Sequence, residues 1–594
     1  IEMPRFLFSV WKNYMVFGLE FFSVVALFAT LFSPWRKYNW RYPKAFNPGE
    51  YIATFISNIF SRIIGAICRL VLMVIGIFAQ IFIIIAGLLL IAGFVLIPLL
   101  MVALVFDFFV SRFSPASVFF ISFFGLVFFE LYWFVRAKIY NPAIGVLLSE
   151  VLTLPIQSNG AQFLSLSLHR IIKRAVKKSK AKNMPDIGSE MLFYAVLRYN
   201  KNVQTLLERL GLDIKKTLIE LHNHLEKQRT KNTAPLVFSE DFKAVVLEAA
   251  GAAVAGGANV IGEKELLVGL AKFDASFKKM LVDNELKEKD VQNLTAWLAK
   301  KEREWEKSKQ FWSRENLSRS GSLGKDFASG FTVTLDNYSV DWQKAAKKDL
   351  FLEIIGHKKE VDELEVVLVK SSLSNALLVG EEGVGRKSIV EELARRCFLR
   401  TGLRELAGKR VVELNMVALC AQIQDPEKVE ATLDQIFQEA SQAGNVILVI
   451  DQLDNFVLQK TAKAGALDIS VILGKYLAMP SFQFIGITSP NGLRRNLEQN
   501  SSFLEYFRKI EVSEVSDVET IMILQNLALA LEKKYKILIT YPAIREIINL
   551  TGRYFPSTPF PKKAIDVLQE AAIYVGTLKD VTRGRRQIKL VMPS

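Results

Sequence analysis

Apolar residues are not spread evenly along this chain; they collect near its start. From Met15 to Ser33 runs an apolar stretch with one acid, Glu20, and from Leu70 to Phe106 there is no charged side chain. As one helix the second run would extend ~56 Å at ~1.5 Å per residue, nearly twice a ~30 Å hydrocarbon core. It therefore predicts a tight hairpin of two spans or one long, bent helix broken at Pro98. A Phe-rich run from Ser117 to Val135 contains Glu130 and ends near Tyr132 and Trp133. Lengths near twenty residues, flanking basic residues and interfacial aromatics favour membrane spans over buried core helices. Several such runs in succession argue against a cleaved signal peptide. We expect three or four transmembrane helices within residues 1–140. Arg136 and Lys138 place the large C-terminal part in the cytoplasm; the loop with Arg36, Lys37, Arg41 and Lys44 favours the same side. Three crossings satisfy both preferences and four do not. Glu20 and Glu130 either line a proton or ion path or sit at an interface or against a neighbouring helix.

Beyond residue 140 the pattern becomes amphipathic and helical, and it repeats. At an offset of 74 residues, Ile187-Gly188-Ser189-Glu190-Met191-Leu192 matches Ile261-Gly262-Glu263-Lys264-Glu265-Leu266. Leu168, Ile171, Ile172 and Ala175 fall on Phe242, Val245, Val246 and Ala249, while Leu207 and Leu212 fall on Leu281 and Leu286. The spacing is helical, so residues 141–302 read as two copies of a small all-helical unit whose register slips further on. The first copy opens with Arg170, Lys173, Arg174, Lys177, Lys178, Lys180 and Lys182. These suit anionic lipid head groups or a solvated helix face. Without interleaved aromatics, nucleic acid is not an expected partner. The Ser/Gly-rich stretch within 303–345 reads as a linker.

From about Leu350 the pattern changes to strand, glycine-rich loop, helix. Asn375–Val379 is a short buried strand, followed by Gly380-Glu381-Glu382-Gly383-Val384-Gly385-Arg386-Lys387-Ser388 and a helical run. Such a turn surrounds phosphates with backbone N–H groups and a helix N-terminus. A second strand, Val446–Ile450, ends in Asp451, placed to orient magnesium, and a third ends at Thr488.

Composition adds limits. The 594 residues are 51% hydrophobic and 23% charged, with a net charge of +15. The mean hydropathy is +0.24. These values exclude a disordered chain and fit membrane segments joined to several soluble domains. Three widely separated cysteines, Cys68, Cys397 and Cys420, fit neither a disulfide scaffold nor a zinc site and suit a reducing compartment. The chain starts at Ile1 rather than Met, so we expect residues ahead of it.

The duplicated segments "IGSEMLFYAVL … LLERLGLDIKKTL" and "IGEKELLVGLA … MLVDNEL" resemble the N-terminal double repeat of Clp-type AAA+ unfoldases. "GEEGVGRKSIVEELA", "GKRVVELNM", "GNVILVIDQLDNF", "FQFIGITSP" and "PKKAIDVLQEAA" resemble, in order, the first AAA+ module of that family. The resemblance implies a large α/β subdomain at 346–512 and a small helical subdomain at 513–594. It further implies ATP or ADP and magnesium as cofactors, a homo-hexamer, and a protein substrate or adaptor docked by the double repeat. Most double-ring relatives carry a second module after this point, so here it is either absent or cut off at Ser594.

Four departures bear on the chemistry. The phosphate-reaching lysine is replaced by Arg386 and the magnesium-binding hydroxyl by Lys387, so the Lys387-Ser388 pair stands one residue late. A one-residue step turns a helical side chain by ~100°, which prevents simple substitution. The family's Asp-Glu becomes Asp451-Gln452, and loss of a general base is worth ~10²–10⁴-fold in rate. Its paired arginine fingers, each worth ~10³–10⁵-fold, fall on Glu505 and Tyr506, with Arg508 two residues on. Its aromatic pore loop falls on Gln424-Asp425-Pro426-Glu427. The expected protein is a multidomain, multi-pass protein of the cell membrane with cytoplasmic soluble domains. It acts as a Clp-like chaperone or regulatory platform, a pseudo-ATPase. Its nucleotide cradle comprises Gly380, Gly383, Val384, Gly385, Arg386, Lys387 and Ser388, with Asp451, Gln452 and Thr488 as vestigial catalytic positions and Asp451 as the magnesium acid. The alternatives are an active unfoldase subunit of a protease, and a transporter or channel accessory.

Overall fold

The computed structural model describes residues 2–35, 48–111, 123–125, 127–128, 148–153, 160–227, 237–328, 332–347, 355–370, 373–423, 425–457, 468–577 and 586–588. They form two compact units, each assembled from separated stretches: 1–96, 308–526 and 551–566 in one; 97–307, 527–550 and 567–594 in the other.

The first apolar run folds as α1 (Glu2–Phe22) and α2 (Val24–Ala29), and the second lies within one helix, α3 (Pro48–Ser111). The long-helix alternative is the one adopted, without the break, because α3 continues through Pro98. Its 64 residues span ~96 Å. Among the described residues two stretches, Arg5–Ala29 and Pro48–Phe94, have the length and apolarity to cross a membrane. The run 117–135, with Glu130, lies outside the described residues except for 123–125 and 127–128.

Helix α1 runs antiparallel to α3. Trp11 Nε1 donates to the Ile83 carbonyl (3.0 Å) and Gln80 Nε2 to the Met15 carbonyl (3.3 Å). Gly76 and Gly87 permit this approach, since a Cβ at either would collide with Phe22 or Trp11. Arg69 is fully buried and donates to the carbonyls of Ser33 (2.7 Å), Pro34 (3.1 Å) and Leu31 (3.3 Å). These carbonyls lie beyond the end of α2, where backbone acceptors lack helical partners. Glu20 pairs with Arg400 (2.7 Å) and Arg314 (2.9 Å), both of the same unit.

In the helical repeat the offset of 74 residues is kept with high fidelity. Helices α4 (Leu166–Ala181), α5 (Ser189–Tyr199) and α6 (Lys201–Arg209) correspond end for end with α8 (Glu240–Ala255), α9 (Glu263–Phe273) and α10 (Ala275–Asp283). The expected slip in register does not occur: α7 (Ile214–Lys227) and α11 (Glu288–Lys309) also start at equivalent positions. The caps explain why. Ser165 and Ser239 cap α4 and α8, Gly188 and Gly262 precede α5 and α9, and Asn200 and Asp274 cap α6 and α10. The serine, asparagine and aspartate side chains accept from helix-start N–H groups and fix where their helices begin. Leu168, Ile171 and Ala175 are buried, as are their counterparts Phe242, Val245 and Ala249. The short strand β1 (Asp186–Ile187) pairs with β2 (Val237–Phe238), and Leu164 bridges to Ile261, so each copy pairs its backbone with the other. The Phe193 and Phe277 rings meet across the copies, tilted at 41° with centroids 4.7 Å apart, and the Ser189 hydroxyl donates to Asp274 Oδ2 at 2.8 Å. The basic helix is partly consumed internally. Lys178 donates to the Tyr194 hydroxyl, Arg174 lies over the Tyr199 ring, and Lys182 pairs with Glu226.

The stretch expected as a linker is structured. Arg314–Ser318, Leu323–Ala328 and Val333–Asn337 are helical, and β3 (Ser339–Asp341) pairs antiparallel with the sheet. Its serines and apolar residues are used locally: Ser313 caps a helix, and Leu335 is buried in the core. In chain order follow α12 (Lys358–Val369), β4 (Asn375–Val379), α13 (Arg386–Leu399), β5 (Arg410–Leu414), α14 (Met416–Gln422) and α15 (Pro426–Ala443). Then come β6 (Val446–Ile450), β7 (Gln483–Thr488) and β8 (Arg508–Glu511). The six-stranded sheet has the order β3-β5-β6-β7-β4-β8 and is parallel apart from β3. Strands β4, β6 and β7 are buried along their length, as expected of parallel strands covered on both faces. Their carboxyl ends share one edge, the usual ligand crevice of such sheets.

Asp274 gives a test of the repeat. Burial pushes its carboxyl above the usual aspartate range, against the Phe277 N–H and Ser189 hydroxyl that favour the anion. Its neutral form therefore adds stability below the ordinary aspartate range, and this is lost as pH rises through the raised value. Asp274→Ala should cost ~1–2 kcal/mol, a factor of ~5–30 in opening, read as faster hydrogen exchange at the Phe277 amide. Asp274→Asn, which keeps the acceptor without the charge, should exchange nearly as slowly as wild type.

Candidate functional site

The loop between β4 and α13 is shaped by its glycines. Gly383 (φ 102°) and Gly385 (φ 106°) lie in left-handed backbone that other residues rarely adopt. At Gly380 a Cβ would stand 2.7 Å from the Val512 carbonyl oxygen. His357 holds the loop from outside: its Nε2–H donates to the Val384 carbonyl at 2.8 Å. The result is a glycine-shaped turn at the N-terminus of α13, a geometry suited to anions. Beside it is a cavity of about 530 Å³ lined by Gly380, Val384, Arg494, Lys509 and Val512 among others.

Arg386 opens α13, half-buried; its side chain makes no hydrogen bond among the described residues, and its charge joins Lys562 in drawing the Glu382 carboxyl down. Lys387 turns elsewhere. Its Nζ lies 3.0 Å from Glu413 Oε1 at the end of β5 and 3.0 Å from Asp451 Oδ2 after β6. Partial burial alone would lower its pKa, but the hydrogen bonds to Glu413 and Asp451 prevail and hold the ammonium above the usual lysine range. Glu391, one turn along α13, is pushed up by burial and then by the Glu413 charge. Ser388, next along the helix, is half-buried.

Asp451 is committed on both oxygens, since Oδ1 accepts the Gln452 N–H at 2.9 Å. Gln452 sits at φ 51° with its amide oxygen tied to Asn455 (3.0 Å). The fully buried Thr488 donates to Asp454 at 2.7 Å. Glu505 is exposed, while Tyr506 packs on the core and its carbonyl accepts from Asn375. Arg508 opens β8 and lies 3.9 Å from Glu363. In the pore-loop position Asp425 caps α15 with Pro426 in its first turn; Gln424 lies outside the described residues.

Three participants escaped the sequence reading. Glu413 stands next to the end of "RVVEL" and Asp451 directly follows its own strand, and that likeness was the available signal. Lys562 donates to Glu382 in the loop (2.8 Å), drawing that carboxyl below its usual range. Its only sequence signal is the Lys-Lys pair opening a helix. His357 gave none.

Known proteins match in three places. Residues 163–284 match the Clp repeat N-terminal domain, 376–489 the ATPase family associated with various cellular activities (AAA), and 516–588 the AAA lid domain. The chaperone protein ClpB of Oceanobacillus iheyensis is 29% identical over 391 residues, which is 65% of this chain and 46% of that protein. The Clp protease ATP-binding subunit ClpC of Staphylococcus aureus is 34% identical over 257 residues, 43% of this chain and 31% of that protein. The chain thus spans less than half the length of these relatives. Among solved structures, the S. cerevisiae Hsp104:casein complex aligns with 26% identity and a TM-score of 0.39, covering 43% of each chain. Over its Clp repeat, AAA domain and lid the chain is homologous to the Clp ATPases.

The His357 contact can be tested directly. His357→Asn keeps a residue tolerant of positive φ but is too short to reach Val384. Loss of this bond should cost ~1 kcal/mol and speed proteolytic cutting within 380–385 about fivefold.

Proposed function

We propose that this chain is a Clp-like AAA+ scaffold that holds adenine nucleotide without hydrolysing it and docks a protein substrate or adaptor through its double repeat. The carrying observation is that the groups that would break the phosphate bond are absent or engaged elsewhere. Gln452 offers an amide in place of a base, and it is bound to Asn455. Thr488 is bound to Asp454, and Asp451 to Lys387. Glu505 would bring an anion, not a guanidinium, toward a neighbour's phosphate. The cradle is in better order. The backbone of Gly380, Gly383, Val384 and Gly385 and the Arg386 cation suit phosphate, which a bound nucleotide would supply. Any power stroke then comes from a further module or from a partner ATPase or protease, and assembly follows the hexameric habit of the relatives.

Phosphate release by the full chain with ATP and magnesium should stay at background, while labelled ADP binds saturably. Gln452→Glu alone should raise turnover by less than ~10-fold, because the finger positions remain unsuited. Turnover typical of an unfoldase would establish the active-enzyme alternative instead.

Membrane attachment through α3 belongs to the same proposal. Phe78, Phe82 and Leu89 are largely exposed (68%, 71% and 65%), and so long an apolar surface requires apolar surroundings. The chain should float with anionic liposomes and resist extraction by carbonate. Replacing Phe78, Phe82 and Leu89 with lysine should release it.

A further inference from the structure

We propose that the Lys387 ammonium stands where a divalent cation would stand, so that this P-loop holds its nucleotide without magnesium. The inference rests on the nucleotide-binding reading proposed for the same loop. In a working P-loop the residue after the phosphate-reaching cation supplies a hydroxyl to magnesium, and an acid at the end of a neighbouring strand orients the same ion. Here the first contribution is replaced by a cation and the second is occupied by that cation. Lys387 Nζ lies 3.0 Å from Asp451 Oδ2 and 3.0 Å from Glu413 Oε1, while the other Asp451 oxygen accepts the Gln452 N–H.

A magnesium ion needs oxygen ligands at ~2.0–2.1 Å in near-octahedral order. To reach Asp451 Oδ2 it would have to share that oxygen with an ammonium and repel it. Ser388 carries the nearest replacement hydroxyl along the chain, but it is turned ~100° about the helix from residue 387.

The balance of charge remains consistent without the metal. Glu413 and Asp451, ends of adjacent strands, need a cation between them, and Lys387 provides one from within the fold. Arg386, whose charge is otherwise felt by the loop carboxylate Glu382, stands at the helix N-terminus and is left to face the phosphates. The two shifted residues thus divide the work, Lys387 neutralising the strand-end acids and Arg386 meeting the ligand.

The full chain is titrated with a fluorescent N-methylanthraniloyl ADP in excess magnesium and again in excess EDTA. The two Kd values should agree within about threefold. In a parallel titration followed by electron paramagnetic resonance, Mn²⁺ alone should find no tight site in the wild type. Lys387→Thr restores the hydroxyl and frees Asp451. It should gain Mn²⁺ binding, and EDTA should then weaken its nucleotide binding by at least ~10-fold. Should that variant fail to fold, the wild-type comparison decides alone. Nucleotide that binds only with magnesium overturns this inference and leaves the nucleotide-holding role intact. Failure to bind in either condition overturns both.

Discussion

Two carboxylates at the ends of neighbouring parallel strands repel each other unless a cation stands between them, and in this chain that cation is a side chain. The pairing of β5 with β6 sets Glu413 against Val449, and Asp451 follows two residues later, so both acids lie at the same edge of the sheet. Lys387 reaches them from the first turn of α13. The rest of the site adjusts to this. On the proposed reading the lysine serves the strand-end acids, the acid is taken by the lysine, and the arginine before the lysine is left for the ligand. A shift of one position in sequence has become a reassignment of charge.

The loop takes its form from other residues. Its shape depends on glycine φ values, on the close passage of Val512 and on the His357 hydrogen bond, and none of these involves residues 386 or 387. Backbone geometry and side-chain chemistry are therefore separable here. The backbone has the glycine-shaped turn of a P-loop, while on the proposed reading the side chains have lost the means of cleaving a nucleotide. Thr488 and Gln452 underline the point: each remains in place, but each is drawn into bonds that stabilise the 3₁₀ turn after β6.

Much of this was legible in the sequence, for identifiable reasons. The strands β4, β6 and β7 are continuous apolar runs ending in polar residues, so their positions and the edge they share could be read directly. The 74-residue repeat was visible in apolar residues, yet its full extent was not, because the caps differ in identity (Asn200 against Asp274) while performing one role. The stretch 303–345 misled because serine and glycine serve equally as linker residues and as helix caps. Arg69 and Glu20 interrupt apolar runs, but what satisfies them comes from residues far along the chain. No local pattern carries that information. The same holds for Lys387: its displacement was plain, its destination was not, since Glu413 and Asp451 approach it only through strand pairing.

The crossed backbone pairing of the helical repeat has a consequence of its own. Ile187 of the first copy bonds to the second beside Phe238, and Ile261 of the second bonds to the first beside Leu164, so the two exchange equivalent contacts. A copy standing alone would carry an unmet edge and an uncovered Phe193 or Phe277, and the surface that answers both is its own twin's. Such a module is in effect a homodimer written into one gene. Because the halves meet through backbone pairing and apolar rings, their opening helices can differ in charge: the first carries lysines, the second Glu240, Asp241 and Glu248.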